Sequence, residues 1–247
     1  MQEALQGSYM KQRPTNSEGV IAEIRSRSPN TLLAFSCGKD SIAAWLAIRE
    51  KFDRIVPFYM YLVPGNLEFI EEALDYYERF FETKIVRMPS DAIYRMLNAC
   101  VFQPPERVRV IERLDLQEPD RQDIAAAVAW DAGLDADETF TAIGVRQNDS
   151  IQRRLSIQKH GAINENSRHY YPVYDWSKDR LIDAIKHAGC KLPVDYKIFG
   201  RSFDGIDLRF IYQVKKHFPR DYQRILDWYP LVEVEIYRYE FAMRGHQ

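Results

Sequence analysis

Cysteine is scarce in this chain. Three residues, Cys37, Cys100 and Cys190, are scattered over 247 positions and form no Cys-x-x-Cys pair. That argues against a disulfide framework or a cysteine-rich metal site, and it makes a reducing, cytoplasmic setting the expectation. The five histidines fall in no metal-ligand spacing, so a zinc site has no support. No apolar run is long enough to span a bilayer, and no signal-peptide stretch stands near the first residues, so no membrane attachment is expected. Charge of either sign is also nearly lacking in excess. A formal net charge of -2 excludes a protein whose main work is blanketing nucleic acid, although a local basic patch is compatible with it. Repeats and low-complexity tracts are absent.

What is present is an alternation of strand and helix signals. Residues 1–14 are polar and expected to be loosely held, followed by a short helix with Asn16 or Ser17 as cap and Val20, Ile21 and Ile24 on its inner face. Strands are predicted at 31–35, 54–63, 83–88, 138–145 and 169–176, and helices at 40–52, 67–82, 90–99, 120–132 and 177–188. Elements of these lengths in this order predict an α/β fold. It would be a Rossmann-like, doubly wound, mainly parallel five-stranded sheet with helices on both faces. From residue 189 the pattern changes to a loop, a helix near 206–217 and a last segment that alternates like a strand in "LVEVEIY" but fits a helix through Ile225, Trp228, Val232, Ile236 and Tyr239. The helix is the preferred reading. The expected organisation is therefore residues 1–188 as one nucleotide-binding-type domain and 189–247 as a mostly helical appendage packed on it.

The stretch "LLAFSCGKDSIAAWLAI", residues 32–48, concentrates unusual chemistry at one turn. Ligands of such sheets sit at the carboxyl ends of the strands, where this turn lies. Gly38 lets backbone approach an anion, and the amides opening the next helix point at it with the positive end of the helix dipole. Ser36 and Ser41 offer hydroxyl hydrogen bonds, and Lys39 adds positive charge. Asp40 would repel a bare phosphate and reads either as a magnesium contact or as a helix cap. A Walker A loop does not fit, because Asp40 follows the lysine and Leu33 occupies the position of the first glycine. An ordinary capped strand–turn–helix is the plainer alternative, and two serines, a glycine and a lysine within six residues disfavour it.

"SCGKDS" resembles the S-x-G-x-D-S loop of the PP-loop ATP pyrophosphatase superfamily, in particular its phosphoadenylyl-sulfate (PAPS) reductase-like branch. Three further segments match in order: "YLVPGNLEFIEEALDYYE", "GVRQNDSIQRR" (residues 144–154) and "YPVYDWSKDRLIDAI". The resemblance implies that Ser36, Cys37, Gly38, Lys39, Asp40 and Ser41 hold the phosphates of an adenine nucleotide. It places Gly65 in a turn bordering the adenosine, and Gly144, Arg146 and either Arg153 or Arg154 near the phosphate or acceptor. Lys39, Asp40 and Arg146 become the candidate catalytic residues, with Asp40 as the metal contact. Arg201 and Asp204, in the glycine-flanked loop "GRSFDG", are expected to close over nucleotide or acceptor.

The chain also departs from that branch. It ends "YEFAMRGHQ" where the reductases carry a catalytic cysteine, and it lacks the four cysteines of the cluster-bearing members. A thiolate nucleophile or an iron–sulfur cluster cannot be built from three scattered cysteines. The implied cofactors are ATP and Mg2+, with no iron–sulfur cluster. The expected activity is AMP-forming cleavage of ATP that activates an acceptor, in nucleic-acid modification or sulfur metabolism. The alternatives are a sulfonucleotide reductase or sulfurtransferase using an external thiol, and a noncatalytic adenine-nucleotide-binding subunit. A nucleic acid or a partner modification protein enters as acceptor by analogy alone, and a homo-oligomer stays open.

Overall fold

Two adjacent leucines in "NTLLA" must point to opposite faces of a strand. In the computed structural model, which describes residues 14–244, this segment is β1, Asn30–Ala34, apolar on both sides. The expectation for the loose N-terminus lies largely in residues 1–13, outside the described residues. β1 is central. The sheet runs β3 (Val86–Pro89), β2 (Arg54–Tyr61), β1, β4 (Thr141–Ile143), β6 (His169–Tyr170), β5 (Ile163–Asn164). Every neighbouring pair is parallel except β5 with β6.

Alternate residues of β1 feed two apolar layers. Leu33 joins the larger core, as does Phe35 just past the strand's end. There they meet α1 (Ser17–Arg27), α2 (Lys39–Ile48), α3 (Glu68–Phe81) and α8 (Lys178–His187). Leu32 turns the other way, with Val56 and Phe58, onto Ile124, Val128 and Ala129 of α6 (Arg121–Asp131). Helices therefore cover both faces, as the doubly wound reading requires. Of the two expected caps of α1, Asn16 is the one used, accepting from the Gly19 amide at 2.8 Å; Ser90 caps α4 (Asp91–Asn98) and Ser177 caps α8, while Asp120 caps α6.

The strand count is six, which corrects the expected five. Of residues 169–176 only the first two pair in the sheet; Pro172 has no amide to donate, and the Tyr174 amide turns back to the Tyr171 carbonyl at 3.3 Å. The sixth strand is the short β5, which folds back against β6. Two helices go beyond the periodicity, α5 (Pro105–Leu114) and α7 (Ile151–His160). Each buries one residue, Ile111 or Ile157, and so shows no apolar stripe in the sequence. A third, short helix, α9 (Asp195–Phe199), stands where the sequence predicts only loop, and the C-terminal part then forms α10 (Leu208–His217), α11 (Pro219–Trp228) and α12 (Val232–Arg244). "LVEVEIY" is helical because Val232 and Ile236, four apart, are buried while Val234 is 47% exposed. The larger core extends from Val20 to Ile236, so these helices share it with the sheet. Among the described residues no helix is long and apolar enough to cross a membrane.

One carboxylate of this framework has a distinctive titration. Glu78, near the end of α3, is 8% exposed and accepts hydrogen bonds from Lys84 Nζ at 2.7 Å, from the Ile85 amide at 2.9 Å and from Arg87. Burial pushes this carboxyl up, but those three donors outweigh it and bring it from 4.5 down to about 2. Such a group supplies stability that is present above its unfolded value and lost as the pH falls through its folded one. Glu78→Gln is expected to lose roughly 2–3 kcal/mol at neutral pH in urea unfolding. The gap from wild type should shrink as the pH is lowered from 4.5 to about 2; a gap indifferent to pH would refute the assignment.

Candidate functional site

At the end of β1 the chain makes one more sheet contact, Phe35 N to Phe58 O at 2.8 Å, and then turns into α2. Cys37 takes the left-handed conformation, with φ 57°, and its side chain is buried in the core. Burial pushes its thiol well above the ordinary range. Cys37 therefore presents backbone alone to a ligand, and its sulfur is not a nucleophile. Ser41 braces the turn from below: its hydroxyl donates to the Gly38 carbonyl at 2.9 Å and accepts from the Ser36 amide at 3.2 Å. Ser36 stays exposed above it, 3.3 Å from the Ser41 oxygen.

The cap of α2 is Gly38, not Asp40, and it offers no side chain to the helix amides. A residue far along the chain supplies one. Tyr196 of α9 accepts from the Lys39 amide through its phenol oxygen at 2.9 Å. The anchor beneath α9 is Asp195, 1% exposed, whose Oδ2 accepts from the Phe203 amide at 2.9 Å and whose Oδ1 has no hydrogen-bond partner among the described residues. Burial raises its carboxyl above the usual value against those backbone donors.

β4 ends beside the same turn. An alanine Cβ at Gly144 would lie 2.5 Å from the Asp40 carbonyl carbon and oxygen and from the Ser41 amide nitrogen. Two residues on, Arg146 is 6% exposed and committed on both sides: Nε to Asp40 Oδ1 at 2.7 Å, Nη2 to Asp149 Oδ1 at 2.6 Å. Lys39 Nζ holds the other Asp40 oxygen at 2.5 Å, and Arg153 the other Asp149 oxygen at 3.1 Å. The result is a chain Lys39–Asp40–Arg146–Asp149–Arg153 with three cations and two carboxylates, hence one surplus positive charge beside the turn.

A cleft of about 710 Å³ opens here. Ser36, Ser41 and Gly144 line one end, Tyr59, Met60 and Leu62 another wall, and Asp120–Gln122 at the head of α6 a third. Of the predicted residues, Arg153 and Asp204 also face it. Arg154 does not: it is exposed and donates to Asn148 Oδ1 at 2.9 Å. Gly65 is likewise away from the cleft, in a turn with φ 78° and open space around it. Arg201 pairs with Asp204 and lies over the Phe210 ring at 5.8 Å. A second depression of about 450 Å³, walled by Asp75, Glu78, Arg79, Glu82, Thr83 and Lys84, carries none of the sequence motifs.

The cleft also contains residues that the sequence motifs do not single out, Ser167, His169 and Tyr171. No sequence spacing joins the three: Ser167 lies in the turn before β6, with Arg168 in the left-handed conformation at φ 44°, and only His169 belongs to the strand. Among the described residues no group of three or more His, Cys, Asp and Glu side chains is placed to hold a metal ion. Both Asp40 oxygens are engaged by cations, so the donor set fits a divalent ion carried in on a nucleotide's phosphates rather than one held by the protein alone.

No protein-family model and no curated protein matches the sequence. Among solved structures, the chain is similar to the U34-tRNA thiolase NcsA from Methanococcus maripaludis with its [4Fe-4S] cluster, at 14% identity and a TM-score of 0.45 over 88% of this chain and 80% of that one. It is similar also to the NH3-dependent NAD synthetase from Campylobacter jejuni subsp. jejuni NCTC 11168 in complex with the nitrate ion, at 13% identity and a TM-score of 0.44 over 91% of this chain and 93% of that one.

Proposed function

We propose that this chain is an AMP-forming, ATP-cleaving enzyme that activates an acceptor, with residues 36–41 as its phosphate site. One observation carries the reading. Ser36, Ser41 and Arg153 line a cleft of about 710 Å³, a size usual for small-molecule sites, and behind them stand a helix start without a cap of its own and an ion-pair chain with one surplus positive charge. Anions bind helix starts of this kind because the amides and the dipole both favour negative charge.

In this reading Ser36, Gly38 and the first amides of α2 receive the β- and γ-phosphates, at the place the Tyr196 phenol marks on the Lys39 amide. Lys39, half-exposed, turns from Asp40 to the phosphates and so frees one Asp40 oxygen. Magnesium bound there with the nucleotide would neutralise charge on the leaving pyrophosphate. Arg146 keeps its grip on the other Asp40 oxygen, and it acts by fixing that carboxylate rather than by touching phosphate. Arg153, on the cleft wall, is the arginine of the predicted segment within reach of phosphate or acceptor; Arg201 and Asp204 form the rim above. The acceptor attacks the α-phosphorus in line, and pyrophosphate leaves toward the turn.

The test is direct. Incubation of the protein with α-labelled ATP and Mg2+ is expected to yield AMP and pyrophosphate, and calorimetry to detect ATP binding. Ser36→Ala should weaken ATP about tenfold, the loss of one hydrogen bond to a charged oxygen. Unchanged affinity in that variant, or preference for an adenylyl-sulfate over ATP, would overturn the assignment.

A further inference from the structure

The reaction above leaves one proton without a destination whenever the acceptor is neutral. We propose that Ser167, His169 and Tyr171 are the acceptor side of the cleft, where Tyr171 and His169 take the proton from a neutral acceptor bearing an N–H or O–H group. This rests on the ATP-cleaving reading and adds the acceptor's class to it.

The three side chains form one hydrogen-bonded line, Ser167 Oγ to His169 Nδ1 at 2.7 Å and His169 Nε2 to the Tyr171 hydroxyl at 2.8 Å. All three line the cleft that Ser36 and Ser41 line. The register pairs His169 with Thr141 and Thr141 with Leu32. These strands are parallel, so Tyr171 lies two residues nearer the carboxyl edge, where the phosphate turn is. The cleft's charged wall residues are Asp120, Arg121, Arg153 and Asp204, two of each sign, while Arg146 is spent on two carboxylates. Nothing there favours an anionic acceptor. Burial holds the His169 imidazole below its ordinary value, neutral and able to accept a proton. Burial raises the Tyr171 phenol while Arg153 pulls it back. Ser167 also borders a separate cavity of about 30 Å³ with Thr139 and Thr141, room for one water at the far end of the line.

The step balances. With the His169 proton on Nδ1 and donated to Ser167, Nε2 accepts from the Tyr171 hydroxyl. The acceptor's heteroatom bonds to the α-phosphorus as the α–β anhydride bond breaks, and that electron pair leaves on pyrophosphate. The acceptor's proton passes to the Tyr171 oxygen, and Tyr171's own proton to His169 Nε2.

The experiment measures pyrophosphate release from Mg·ATP with hydroxylamine as a small neutral acceptor, alongside ATP binding by calorimetry. In Tyr171→Phe and His169→Gln, kcat should fall about 100-fold, with ATP affinity within twofold of wild type and with the rise of rate with pH flattened in His169→Gln. Wild-type rates and pH profile in both variants would overturn the proposal. So would a wild-type protein that binds Mg·ATP yet releases no pyrophosphate with hydroxylamine, since a base on the cleft wall should activate so small a nucleophile. Absence of ATP binding in the wild type would instead bring down the ATP-cleaving reading, and this one with it.

Discussion

Gly144→Ala is expected to destabilise the protein by about 3 kcal/mol or more and to abolish nucleotide binding. The new Cβ would meet three backbone atoms of Asp40 and Ser41 at 2.5 Å, and backbone in the first turn of a helix cannot swing aside as a side-chain tip does. Overpacking of a well-filled site costs typically about 1–3 kcal/mol, and this contact belongs at or above the upper end. Relief would have to come from moving the end of β4 away from α2. That would pull the Arg146–Asp40 bond apart and shift the amides of the turn at 36–41. Gly38→Ala provides the contrast. There the Cβ would meet the Ser36 and Ser202 hydroxyl oxygens at 3.1 and 3.3 Å, and both are side-chain atoms that rotate, so a loss below about 1 kcal/mol is expected. Urea unfolding of both variants with ATP titration checks the pair. A Gly144→Ala protein as stable as wild type would show that β4 does not press on α2 as described.

Asp221→Ala should be nearly as damaging, at about 2–4 kcal/mol. α3 begins after Leu67, which offers no side-chain cap. Asp221, in the first turn of α11 and 2% exposed, accepts instead from the Glu68 amide at 2.6 Å and the Phe69 amide at 3.2 Å. A carboxylate against a helix start gains from both hydrogen bonds and the dipole. Its removal leaves the Glu68 amide and the buried Phe69 amide without their partner. Asp221→Asn, which keeps one carbonyl oxygen, should recover about half of the loss. Comparing the two variants with wild type by urea unfolding tests this, and an alanine variant within about 0.5 kcal/mol of wild type would remove Asp221 from the cap.

These two residues show where the linear reading stopped. Nothing near Gly144 in the chain says that its α-hydrogen faces the backbone of residues 40 and 41, and nothing near Leu67 says that its missing cap stands in α11. The choice between Arg153 and Arg154 has the same character. They are neighbours on α7, and one faces the cleft while the other bonds Asn148 because of how that helix lies on the sheet. Arg146 was expected near the phosphate or acceptor; it is instead engaged by Asp40 and Asp149, which makes it a support and not a free cation. Ser167, His169 and Tyr171 were not readable as a group, because the turn at Ser167 and Arg168 that brings Ser167 to the His169 ring interrupts the strand pattern.

The order of strands and helices, the caps at Asn16, Ser90 and Ser177, and the polar turn at 36–41 came from the chain read residue by residue. These features depend on groups within about four positions of one another, where hydrogen bonds and side-chain periodicity are local. The sixth strand, the helices α5 and α7 and the partners of Asp40, Gly144, Asp221 and His169 were decided only by the tertiary structure. Each depends on which distant segment packs alongside, and a single sequence records the two partners of such a contact without recording that they meet.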